Sequence, residues 1–121
     1  MPGGFDHEAG HTAALRLIAR RPLPDAVLAA NDEVAVGALG ALRQAGIDVP
    51  GEISVAGIND LRTARHVGLT TVSLPLYEMG SMAARPIIES APGSTGDGGA
   101  TTVLSHRLVP RETTARRPAE R

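Results

Sequence analysis

The chain has 121 residues, a formal net charge of −1 and no cysteine. That length suits one small domain. The balanced charge gives no general attraction to nucleic acid or to an anionic membrane, and the missing thiols exclude disulfides, thiolate metal sites and cysteine nucleophiles.

Phe5 and Tyr77 are the only aromatic residues, so neither a sugar-stacking nor a base-stacking platform is expected. No apolar run approaches the roughly 18 residues of a membrane span. The first six residues carry neither the basic region nor the apolar segment of a secretory signal. The cytoplasm is the expected setting, with no membrane partner.

Residues 6–20 read as a first helix. Asp6 can cap it, Glu8 sits in the first turn where the helix dipole favours an anion, and Ala14, Leu17 and Ile18 form an i, i+3, i+4 stripe. Prolines 22 and 24 end it. Residues 26–30 form a short continuous apolar run, as in a strand of a parallel sheet. Residues 33–45 read as a second helix with Ala35, Ala38, Leu39 and Leu42 on one side and Gly46 as a left-handed stop.

Residues 53–58 are the next strand and 70–74 a third. Residues 76–90 have helical composition, interrupted at Pro86. Residues 92–99 form a flexible loop, 101–109 are strand-like, and the Arg-rich end from 111 to 121 reads as a flexible tail. Alternating helices and strands define an α/β fold with a parallel sheet, arranged as a three-layer sandwich.

Ligands of open α/β sheets bind outside the carboxyl ends of the strands. Two polar pairs fall there, Asn31-Asp32 and Asn59-Asp60. An Asn amide both donates and accepts, which suits a hydroxyl. Helix capping is the competing role, and the two can share a pair, with Asp32 capping while Asn31 faces the crevice. A second signal competes. His7-Glu8-Ala9-Gly10-His11 fits the HExxH pattern of zinc hydrolases, in which two histidines one turn apart hold a metal and the Glu activates its water. No third ligand stands out beyond the candidates His66, Asp32 and Glu33, so surface histidines are the expected outcome, with no metal, no cofactor and no catalytic residue.

The run Pro24-Asp25-Ala26-Val27-Leu28-Ala29-Ala30-Asn31-Asp32-Glu33-Val34-Ala35-Val36-Gly37-Ala38-Leu39 resembles the effector-binding domain of LacI/GalR-type transcriptional regulators. So do Val49-Pro50-Gly51-Glu52-Ile53-Ser54-Val55-Ala56-Gly57-Ile58-Asn59-Asp60, Leu69-Thr70-Thr71-Val72, Tyr77-Glu78-Met79-Gly80, and Leu108-Val109-Pro110-Arg111-Glu112-Thr113-Thr114. Glu8-Ala9-Gly10-His11 occupies the place of the family's Glu-Ser-Gly-Tyr, which makes the HExxH string a coincidence.

The resemblance implies the C-terminal lobe of a periplasmic-binding-protein-like fold. Residues 1–110 form an incomplete ligand-binding domain, of which 76–105 belong to an N-terminal lobe, and 111–121 form the tail. It implies a non-enzymatic part of a LacI-type regulator, a repressor in type. The effector is a small molecule, taken as a carbohydrate, and DNA is read only through a helix-turn-helix head that these residues lack. Asn31, Asn59, Asp60 and Leu74 are the implied ligand-binding residues. Asn59 stands where the family often has Asp, and Leu74 near a position that is often polar. The change to Asn removes an anionic acceptor, and hydrogen bonds to charged groups contribute about 1.5–3 kcal/mol against 0.5–1.5 for neutral ones, so a weaker sugar affinity or a different ligand is expected; Leu74 weakens the sugar reading further. Val34, Val36 and Leu39, on the second helix, are the implied homodimer interface. Without a partner, the 76–105 segment should expose apolar surface and leave the chain marginally stable. Part of a sugar-binding transport protein and a zinc hydrolase built on His7, Glu8 and His11 are the alternatives.

Overall fold

The computed structural model describes residues 4–90, 92–93 and 99–117. The chain runs α1 (His7–Ala19), β1 (Ala26–Leu28), α2 (Asp32–Gln44), β2 (Ser54–Asn59), α3 (Arg62–His66), β3 (Thr70–Ser73), α4 (Leu76–Glu89) and β4 (Arg107–Val109). The four strands form one sheet in the order β1-β2-β3-β4. The first three are parallel, and β4 returns antiparallel to β3. The expected α/β class is therefore the observed one.

Local chemistry explains the element ends. The Asp6 carboxylate accepts a hydrogen bond from the Ala9 amide at 2.8 Å and starts α1. Gly46, at φ 74°, ends α2. The Ile47 amide donates back to Leu42 and the Gly46 amide to Arg43, both at 3.0 Å. This is the paired bond pattern of a left-handed helix stop, and it turns Ile47 into the core.

α1 crosses α2 with backbone against backbone. A Cβ on Gly10 would collide with the main chain of Val34, and one on Gly37 with that of His7. Only two glycines allow this approach, which brings the first turns of both helices together. The core beneath is aliphatic: Leu39, Leu42, Ile47, Ile53, Val55 and Leu69 are buried with several alanines.

Three expectations need correction. Residues 101–106 are not a strand, because Arg107–Val109 pairs with Thr71–Ser73 and beyond Ser73 the chain turns away into α4. Pro86 does not interrupt α4, which runs through it; an exposed helix can lose one backbone bond without breaking. Residues 111–114 are not part of a flexible tail. Thr113 is fully buried, its hydroxyl donating to the Val55 carbonyl at 2.7 Å and accepting from the Thr70 amide at 2.9 Å. The Val55 amide donates to the Thr113 carbonyl at 2.8 Å. The segment fills hydrogen-bonding positions that the strands leave open at their beginnings. Residues 94–98, in the expected loop, and 118–121, in the expected tail, lie outside the described residues.

The expected apolar exposure is present. α4 buries none of its residues, and Tyr77, Ile87 and Ile88 are 90%, 77% and 79% exposed.

Candidate functional site at the carboxyl ends of the strands

The parallel strands β1, β2 and β3 deliver Asn31, Asn59-Asp60 and Leu74 at or just beyond their carboxyl ends, Asn59 being the last residue of β2. Asn31 and Asn59 thus lie at the ends of neighbouring strands, at the edge where this sheet type binds ligands.

The first pair divides its work the opposite way from the sequence expectation. Asn31, not Asp32, caps α2: its Oδ1 accepts from the Val34 amide at 2.8 Å. Its Nδ2 donates to the Phe5 carbonyl at 2.9 Å, which ties the entry of α1 to the start of α2. Asp32 is fully buried. One carboxylate oxygen accepts from the Leu61 amide at 2.7 Å and the other from the Thr71 hydroxyl at 2.6 Å. The cause is tertiary: either side chain can cap, but only the residue one step into the helix reaches the turn after β2.

The second pair sits on unusual backbone. Asn59 has φ 114° and Asp60 φ 56°. Asn and Asp tolerate positive φ better than other side chains do, yet φ 114° lies outside the comfortable left-handed well. Such strain persists only where surrounding contacts enforce it, and it concentrates at binding sites. The Asn59 side chain is half-buried and has no hydrogen-bond partner among the described residues.

Asp60 is already committed. Its side chain is 6% exposed and pairs with Arg111 at 2.7 Å and Arg65 at 3.4 Å. Burial pushes its carboxyl up, but the Arg111 hydrogen bond and charge, with the Arg65 charge beside it, outweigh that and hold the carboxyl below its ordinary value. Arg111 also donates to the Leu69 carbonyl at 2.9 Å. Sequence reasoning placed Arg111 in a tail and missed this role, although the residue lies within the Pro-Arg-Glu-Thr-Thr run singled out above.

Leu74 faces a different hollow. With Pro75, Met79, Met82, Pro86 and Leu104 it lines an apolar groove of about 590 Å³ beneath α4; Asn31, Asn59 and Asp60 are not among the groove's lining residues. Leu39, expected at the dimer interface, is 1% exposed in the single chain and belongs to the core. α2 is covered by the sheet on one side and by α1 on another, which leaves Leu39 no outward face. Val34 and Val36 are half-buried.

The HExxH string also finds its explanation. Gly10 is required by the helix crossing, and the His11 ring meets the Gln44 side chain at 3.3 Å. Among the described residues no three His, Asp or Glu side chains are grouped to hold a metal ion.

A mostly parallel sheet with polar residues at its carboxyl edge is an architecture on which α/β proteins bind ligands. The sequence pattern of the periplasmic binding protein-like domain matches residues 3–114. The chain is 40% identical over 116 residues to the transcriptional regulator MalR of Streptomyces coelicolor, covering 94% of this chain and 33% of that protein. A solved LacI transcriptional regulator from a Rhodococcus species superposes with a TM-score of 0.77 at 35% identity, over 93% of this chain and 41% of the other. A LacI-family regulator from Enterococcus faecium, solved with bound ribose, gives 0.77 at 25% identity over 94% and 42%. The chain belongs to the periplasmic-binding-protein-like effector domain of the LacI family, and it spans about a third of the length of the curated regulator named here. Its relatives are transcriptional regulators, and neither the transport-protein nor the zinc-hydrolase reading is favoured.

Proposed function

We propose that the chain is the effector-sensing part of a LacI-type repressor, acting in the cytoplasm, and that its effector is a small polyhydroxylated molecule of the sugar class. The observation that carries this is the placement of two amides, Asn31 and Asn59, at the carboxyl ends of neighbouring parallel strands, the second on strained backbone with its side chain unbonded. The ribose bound to the Enterococcus faecium relative supports the ligand class. Binding shifts a conformational equilibrium in the whole regulator and so alters DNA affinity, through a head outside these 121 residues. The groove beneath α4 supports assigning residues 76–105 to a second lobe, with the rest of that lobe covering the apolar face. The chain itself acts as a binding module, not an enzyme.

Asn59 is the direct ligand contact, and Asn31 presents only the bonding capacity left over from its cap. Asp60 serves through its ion pair with Arg111 rather than as a free acceptor. A homodimer would form through the parts of α2 that α1 and the sheet leave uncovered, where Val34 and Val36 are half-buried. Titration of ribose and sucrose into the protein by calorimetry tests the sensor reading. Heat of binding that disappears in Asn59→Ala supports it, and wild-type protein silent to every sugar offered overturns it. Val36→Arg should lower the sedimentation coefficient; an unchanged value removes the interface.

A further inference from the structure

The Asp32 carboxyl group is fully buried, and among the described residues its two partners are neutral donors, a backbone amide and a hydroxyl. Burying such a group is costly unless its oxygens are hydrogen-bonded. Part of that cost is offset because Asp32 stands in the first turn of α2, where the helix dipole favours an anion. The fold also makes room for it: a Cβ on Gly57, in the middle of β2, would strike the Asp32 carboxylate.

The chemistry that a carboxylate supplies and an amide does not is direction. Both Asp32 oxygens act as acceptors here. The Thr71 hydroxyl must therefore point its proton at Asp32, which leaves its lone pairs for the Asp60 amide, 3.4 Å away. The other carboxylate oxygen takes the Leu61 amide. Two successive N–H groups immediately after Asn59 are thus captured, one directly and one through Thr71. Together with the Asp60–Arg111 pair, these bonds anchor the turn whose φ angles are positive at Asn59 and Asp60.

We propose that Asp32 is a positioning residue for the effector site: through Leu61 and Thr71 it holds the Asn59-Asp60 turn in its strained form and fixes that turn against the start of α2, so that Asn31 and Asn59 keep one relative placement. The role in binding rests on the reading of Asn59 as a ligand contact; the relay itself does not.

The test uses the ligand-free 121-residue chain, labelled for NMR, as wild type, Asp32→Asn, Thr71→Val and Thr71→Ser. The amide-to-Hα couplings of Asn59 and Asp60 report their φ angles. Exchange of the Leu61 amide reports its bond to Asp32. Exchange of the Val55 amide, bonded to Thr113, is the internal reference. In Asp32→Asn the Asn59 and Asp60 couplings should shift, and Leu61 should exchange roughly tenfold faster, with Val55 unchanged. Thr71→Val should shift the couplings, and Thr71→Ser, which keeps the hydroxyl, should restore them. Should Asp32→Asn fail to fold, the threonine pair decides alone. Wild-type couplings in Thr71→Val overturn the proposal, as does a change that spreads equally to Val55, because that is general loosening. Sugar titration of the wild type is the separate arm. No binding there, with couplings that shift as expected, would sink the sensor reading and leave the relay standing.

Discussion

The stretch from α1 to β3 and the α4 region are built from similar residues and behave oppositely. Every buried apolar residue among those described lies between Ala14 and Leu69. α4 carries Leu76, Tyr77, Met79, Met82, Ile87 and Ile88 and buries none of them. Apolar content and helical spacing are alike in both; what differs is a surface to pack against. α2 has the sheet below and α1 pressed on it through Gly10 and Gly37, whereas α4 leans over an open groove. Hydrophobic pattern thus encodes helix formation in both places, and burial only where a complementary face exists.

That contrast can be broken most sharply by matched truncations. Leu39→Ala in α2 should cost about 4 kcal/mol, a drop in the urea midpoint, because it opens a cavity in the only core the described residues contain. If that variant melts like wild type, the packed half is not the source of stability. Gly37→Val should cost about 3 kcal/mol by the same measurement, since the new side chain must force α1 off α2. Arg111→Met should cost about 2 kcal/mol by leaving Asp60 partly buried beside a single, more distant cation. Its pH signature is separate. A carboxyl held low in the folded chain stabilises it fully above its unfolded value, near 3.8, and that contribution is lost as pH falls through the lowered value. Acid unfolding of wild type should show this loss, and the loss should shrink in Arg111→Met. The smallest effect is expected at Ile88→Ala, within about 0.5 kcal/mol, because its side chain is already in water. A large loss there would mean that α4 is packed in solution.

Much of this architecture is legible in the sequence. The helical stripe of α1, the apolar run of β1 and the Gly46 stop give the α/β order directly. The Asn-Asp pairs give the carboxyl edge of the sheet. What is not legible is decided by distant neighbours. Asn31 and Asp32 are both good caps, and only Leu61 and Thr71, 29 and 39 residues beyond Asp32, determine which one turns inward. Leu39 lies on a stripe that could face a partner molecule or a core, and the glycine crossing of α1 settles it. Thr113 is a polar residue in an arginine-rich stretch and reads as solvent-facing until its fit between Val55 and Thr70 is seen.

The Thr113 contact also bears on the order of folding. Val55 belongs to the central part of the sheet, yet its main chain is completed by a residue 58 positions later. The β2 main chain therefore stays incompletely bonded until the segment around Thr113 arrives to close it. Contacts between such distant positions slow folding, so completion of β2 belongs to the late steps in the folding of these residues.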